Sequence, residues 1–340
     1  MHAVAKSMAE AETLIGLNST LINMHETSDV ILDSVADSDI FVAHTHFPNE
    51  LKKRATKKYK MVFPAHGTPE HIFTSAVEEG SNRGYGHGDG WMLYQYWLSH
   101  ADLIVTHWPR HQAIMQSMCD RNTKVHLVPM GIDTDFWAEG GSDGKWVGTP
   151  SVMTGENCHQ IKWPLDLFII WPWIYDQIPD ACLHAIYLPN DMHRWFFPLV
   201  NRNGASYGAH ITPLAFHGPA LRNVFKSTDY QVGLVRYGDF NRMSLEANAA
   251  KGCKTVSYRG NPYTDFWVTE GDQRKIAEEL TEIIRGEVKP RVKSPVPNHL
   301  EMANTMKGLY ETLMVKDQVV IPSNGFSDNI LDLEVLDVTT

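Results

Sequence analysis

The chain has 340 residues, 43% hydrophobic and 21% charged, which is enough for two globular domains with full cores. Its formal net charge of −10 weighs against nonspecific binding to nucleic acid or anionic membrane, because both surfaces are themselves negative. No apolar run approaches the roughly 20 residues of a membrane span, MHAVAKSMAEAE is too charged for a signal peptide, and Cys119, Cys158, Cys182 and Cys253 have neither disulfide nor zinc-ribbon spacing, so a cytoplasmic location is expected.

In chain order, residues 2–16 read as a helix with apolar positions at Val4, Met8, Ala11 and Ile15 and a stop at Gly16. A strand is expected at Thr20 to Met24, then helix 28–36 and strand 39–44. LKKRATKKYK (51–60) places six Lys/Arg in ten residues, either the solvated face of a surface helix or a contact for acceptor or membrane. Strand 60–65 follows, then SNRGYGHGDG (81–90), a glycine-rich loop expected over a cleft, and an apolar helix from Trp91 to Leu98. Leu103 to Thr106 and Val125 to Val128 complete a set of short buried strands alternating with helices. GGSDGKWVG (140–148) has linker composition, and after it the pattern restarts. Strands are expected at 150–154, 181–188, 209–216, 230–235 and 253–257, with helices at 164–175, 219–227, 242–251, 272–285 and 298–315. Strands alternating with helices predict parallel sheets covered on both faces. The fold class is therefore α/β, two Rossmann-like domains facing a cleft. The first spans 1–138, the second 147–290, the helix 298–316 belongs with the first, and 317–340 is an acidic tail.

Residues 232–257, VGLVRYGDFNRMSLEANAAKGCKTVS, carry the clearest chemistry. A strand feeding a helix N-terminus presents backbone N–H groups and the positive end of the helix dipole, an anion site to which Ser244 and Leu245 would contribute. Glu246, one turn into that helix, can accept from the two hydroxyls of a ribose, as acidic residues do in other nucleotide folds. An ordinary βαβ unit with a solvated Glu is the plainer alternative. His66 ends a strand, where ligands of open α/β sheets bind, and His46 lies at the neighbouring strand end. The 17 histidines raise the question of metal, above all His44, His46, His66 and His87, but HTH lacks the i, i+4 spacing of a zinc helix and no carboxylate stands at ligand spacing, so no metal is expected.

The 232–257 segment resembles the second-domain signature of retaining glycosyltransferases of family 4, an E-x7-E pattern containing Phe-Gly. Glu246 falls on the second Glu, Phe240 on the Phe and Asn241 on the Gly, while Gly238, beside Asp239, replaces the first Glu. VHLVPMGIDTDFW (125–137) is similar to the family's inter-domain crossing, and SDIFVAHTHFP (38–48), KMVFPAHGTP (60–69) and HADLIVTHWPRHQAIM (100–115) to its three preceding strand ends. The resemblance covers most of residues 1–290. It implies a GT-B fold and metal-independent transfer of a sugar, with retention, from a UDP- or GDP-linked donor, with no cofactor. His66 and Lys162 would be catalytic, Gly155, Asp239, Phe240, Ser244, Leu245 and Glu246 would bind the donor, and His46 would face the acceptor. A glycan or lipid-linked sugar is the expected acceptor, with a modified base in DNA as a further option.

Three departures stand beside this match. Glu156 occupies the position of the family's phosphate-binding Arg, which a carboxylate cannot replace. Arg236 or Arg242 is the candidate substitute, or each is simply a surface arginine. Gly238 replaces a Glu, and the chain opens inside a helix that the family precedes with a strand and a Gly-rich loop, as though truncated. A non-catalytic nucleotide-sugar-binding protein and a GT-B-fold epimerase or phosphorylase therefore remain as alternatives.

Overall fold

The computed structural model describes residues 2–22, 38–44, 59–66, 69, 72–73, 94–95, 98–119, 123–142, 144–155, 165–186, 201–202, 205–212, 216–236 and 242–315. The expected helix 28–36, His46, the basic run up to 58, the loop 81–90, Lys162, Asp239, Phe240 and the tail lie outside them.

The first sheet contains β1 (Ile40–Val42), β2 (Lys60–Ala65), β3 (Leu103–Thr106) and β4 (Val125–Leu127), all parallel and adjacent in chain order. β3 is buried along its whole length because both faces of the sheet are covered. Alternate residues go to opposite sides. Phe63, Ala65 and Ile104 pack with Leu98 and with Met115 of α2 (Pro109–Met118). Val62, Leu103, Val105 and Val128 pack with Met8 of α1 (His2–Leu14) and with Met302, Met306, Tyr310 and Leu313 of a helix far down the chain, His299–Val315. The Tyr310 hydroxyl donates to Glu12 Oε1 (2.8 Å), tying that helix to α1. Residues 20–22 are not a strand, although Thr-Leu-Ile has the right composition. Leu21 is 41% exposed and pairs with no strand among the described residues.

Two segments cross between the sheets side by side. The Ile132 N–H donates to the Pro297 carbonyl (3.0 Å), and the His299 N–H returns to the Ile132 carbonyl (2.9 Å). Gly131 permits this approach, since a Cβ there would sit 2.5 Å from the Asn298 oxygen and 2.7 Å from His299 Cα. Asp133 then caps α3 (Thr134–Ala138) by accepting from the Phe136 N–H (3.0 Å).

The second sheet contains β5 (Ser151–Thr154), β6 (Cys182–Ile186), β9 (Ala209–Thr212), β10 (Tyr230–Gly233), β11 (Lys254–Tyr258) and β12 (Phe266–Val268), parallel throughout in the order β12-β11-β10-β5-β6-β9. A two-residue ribbon, β7 (Asn201–Arg202) with β8 (Ala205–Ser206), precedes β9. One face is covered by α4 (Leu165–Gln177) and α7 (Gln273–Ile284), through Phe168, Trp171, Ile174, Ile276 and Leu280. The other is covered by α5 (Gly218–Ser227) and α6 (Arg242–Ala250), through Leu221, Phe225, Leu245 and Ala249. In FIIWPWIY, an apolar run whose composition suggests core throughout, Trp171 is fully buried and donates to the Tyr207 carbonyl (2.7 Å), whereas Trp173 is 44% exposed. The helix His299–Val315, α8, returns the chain to the first sheet. Among the described residues, no helix is long and apolar enough to cross a membrane.

Candidate functional site

Because each sheet is parallel, all of its strands end on one edge, and two clusters stand on these edges. On the first sheet, His44, His66 and His107 follow the C-terminal ends of β1, β2 and β3. His44 Nδ1 and His66 Nε2 are 2.7 Å apart, with stacked rings whose centroids are separated by 5.0 Å. The His66 and His107 rings stack at 5.4 Å. The His107 Nδ1–H donates to the Val128 carbonyl (2.8 Å), which leaves a lone pair on Nε2. Among the described residues, neither His107 Nε2 nor His66 Nδ1 has a hydrogen-bond partner.

Burial pushes all three histidines below their ordinary value, His44 to about 4 and His66 well below 6.5, with mutual repulsion adding to both. For His107, the bond to Val128 only partly offsets burial. The row is therefore neutral at pH 7 and can accept or relay a proton but supplies no positive charge. Among the described residues, no group of three His, Cys, Asp or Glu is placed to hold a metal ion. His107 escaped the sequence reading, although THWP ends its strand much as AHGTP ends β2.

On the second sheet, the strand order reverses between β5 and β10: the chain runs from β5 outward to β6 and β9, then returns to β10, β11 and β12. Such a topological switch opens a crevice beyond the strand ends, the usual ligand position in open α/β sheets. Gly155 follows β5 at this point, and a Cβ there would collide with Met243 in the first turn of α6. The Met243 side chain thus lies against the end of β5, which brings the first turn of α6 to Gly155. Ser244 and Leu245 are fully buried, with the Ser244 hydroxyl donating to Gln231 Oε1 (3.2 Å), so only their backbone can face the crevice. Glu246 is 8% exposed and accepts from Arg242 Nε (2.8 Å).

Beside the crevice lies a second carboxylate that the sequence reading missed. Asp166, in the first turn of α4, is 1% exposed and binds Arg236 through both oxygens, Nε to Oδ2 (2.9 Å) and Nη2 to Oδ1 (2.5 Å). Tyr258, at the end of β11, donates to Oδ2, and Gln273, opening α7, donates to Oδ1 (3.3 Å). Burial pushes the Asp166 carboxyl up, but the Arg236 and Tyr258 hydrogen bonds outweigh it, and the acid stays below its ordinary range. The Tyr258 hydroxyl is driven up, by burial first and by Asp166 second. Arg236 and Arg242, the two arginines considered in place of the missing Arg, are thus both held by carboxylates.

No protein-family model matches the sequence, and no curated protein does. Solved structures share its fold. Sucrose-phosphate synthase from Thermosynechococcus elongatus superposes with a TM-score of 0.62 at 14% identity, over 88% of this chain and 82% of that one. A glycosyltransferase from Rickettsia africae gives 0.60 at 12% identity, over 92% and 94%. A trehalose-6-phosphate structure from E. coli, bound with UDP-2-fluoro glucose, gives 0.57 at 14% identity, over 87% and 76%. The chain has the GT-B architecture of these proteins, with two Rossmann-like domains.

Proposed function

We propose that the chain is a glycosyltransferase that takes a nucleotide-diphosphate sugar in the switch-point crevice of its second sheet and transfers the sugar to a hydroxyl held over the first. The observation that supports this reading is the strand-order reversal between β5 and β10 in a GT-B fold, with Gly155 ending β5 and the first turn of α6 against it. One solved structure of this fold holds UDP-2-fluoro glucose, which favours UDP over GDP as the donor nucleotide.

In this scheme Glu246 accepts from the ribose hydroxyls, and the first N–H groups of α6 receive phosphate oxygen. Lys162, on the connection between β5 and α4, meets the charge that grows as the bond between the anomeric carbon and the diphosphate breaks. The acceptor hydroxyl attacks from the same face of the sugar, its proton passing to the departing phosphate oxygen, so configuration is retained and no carboxylate nucleophile or metal is needed. His66, which follows β2, and His46 are the residues assigned to the acceptor. A glycan or lipid-linked sugar is the acceptor proposed, because the net charge of −10 disfavours DNA.

Calorimetry with UDP and GDP, combined with a nucleotide-release assay on UDP- and GDP-sugars, tests the reading. Binding with release is expected. Binding without release under any acceptor would make the chain a nucleotide-sugar-binding protein, and binding of neither nucleotide would remove the crevice from consideration.

A further inference from the structure

We infer that Arg236 is the diphosphate-binding cation of the crevice, oriented for that task by buried Asp166, and that it stands in for the guanidinium missing at Glu156. The inference rests on the reading that a nucleotide-diphosphate donor binds in the second domain.

β10 and β5 lie side by side, Tyr230 opposite Val152 and Gln231 opposite Met153, so the segment leading to Arg236 runs beside the one leading to Gly155. Arg236 thus belongs to the wall of the switch-point crevice. Asp166 lies at the far end of the β5–α4 connection that carries Glu156 and Lys162. The guanidinium therefore joins the segment after β10 to the first turn of α4.

Its two edges differ. The inner edge, Nε and Nη2, is locked on a carboxylate that is 1% exposed, while the arginine side chain is itself 40% exposed. A guanidinium has five N–H donors, and the bidentate bond consumes two of them. Nη1 and the remaining hydrogen of Nη2 form the outer fork, the geometry that matches two oxygens of a phosphate. Tyr258 and Gln273 fix Asp166 in turn, so residues of three elements (β11, α4 and α7) set the direction of this fork before any ligand arrives. Little side-chain entropy is then lost on binding. Arg242 is placed differently: its partner Glu246 is the residue assigned to the ribose, on the same helix face.

The test compares the wild-type protein with R236Q, R236K and Y258F, using calorimetry with UDP and with uridine. R236Q is expected to weaken UDP by about tenfold or more, the worth of a charged hydrogen bond, and to leave uridine unchanged. A merely structural role would move both ligands together. R236K keeps the charge without the fork and should recover only part of the loss, and it serves alone if R236Q does not fold. Y258F loosens Asp166 and should give a smaller loss, again for UDP only. Wild-type UDP affinity in R236Q and R236K would overturn the assignment while leaving the donor site standing. If the wild-type protein binds neither UDP nor GDP, the donor-site reading falls and this inference falls with it.

Discussion

Replacing Gly131 by alanine should damage the protein, although it adds one methyl group. The new Cβ would meet the Asn298 oxygen at 2.5 Å, His299 Cα at 2.7 Å and the Asn298 carbonyl carbon at 2.8 Å. Comfortable separation is about 3.5–4.0 Å, so the second crossing segment must retreat by roughly 1 Å. All three atoms are backbone, so no rotamer change relieves the contact. Overpacking of this kind costs about 1–3 kcal/mol. The retreat also stretches the bonds from Ile132 N–H to Pro297 and from His299 N–H to Ile132, each worth about 1 kcal/mol. A loss of about 2–4 kcal/mol follows, a drop in Tm of roughly 4 °C or more. Gly308 provides the control: it lies within α8, and a methyl group added there would meet nothing inside 4 Å. Gly308→Ala should stabilise by roughly 0.5–1 kcal/mol through helix propensity. Thermal and urea unfolding of the two variants should therefore shift in opposite directions. A Gly131→Ala protein as stable as the wild type would refute the close crossing.

Acid should weaken the protein before its carboxylates titrate. His44, His66 and His107 all have folded values below 6.5, so the unfolded chain binds more protons, and the stability they contribute is present above pH 6.5 and lost as pH falls toward about 4 for His44. Urea midpoints should fall between pH 7 and 5, and ring resonances titrating near 6.5 for all three would contradict the buried row. Trp171→Ala should cost about 3–5 kcal/mol and Trp173→Ala under about 1 kcal/mol, because one indole is fully buried and the other 44% exposed; equal effects in denaturation would show that α4 is rotated. Glu246→Ala should weaken UDP binding by roughly 1–3 kcal/mol, and unchanged calorimetric affinity would remove Glu246 from the site.

The strands at 60–65 and 103–106 could be read residue for residue because burial on both faces gives each a short apolar run, Met61 to Ala65 and Leu103 to Val105. β12 was missed because a three-residue strand is too short to show a period, and residues 20–22 show that β composition alone does not make a strand. His66 and Glu246 were readable as candidates because each sits beside a local signal, a strand end or a helix start. The cluster around Asp166 had no such signal. It joins residues 70 and 92 positions apart, and within LDLFIIW the aspartate resembles the polar opening of an apolar helix. Only the strand order places the segment leading to Arg236 beside the one leading to Gly155.

The position of α8 also bears on how the chain is made. Chains usually fold as they emerge from the ribosome, N-terminal domain first. Here Val62, Leu103, Val105 and Val128 are covered by Met302, Met306, Tyr310 and Leu313, so one face of the first sheet waits for the last helix described. The six-stranded sheet, whose strands all fall between residues 151 and 268, is complete earlier. At roughly 5–20 residues per second, the 174 residues from Val128 to Met302 take about 10–35 s to synthesise. Throughout that interval the face has Met8 of α1 against it but lacks its α8 cover. The domain made first is thus the one finished last, and a chaperone that binds exposed apolar strands would find its target there.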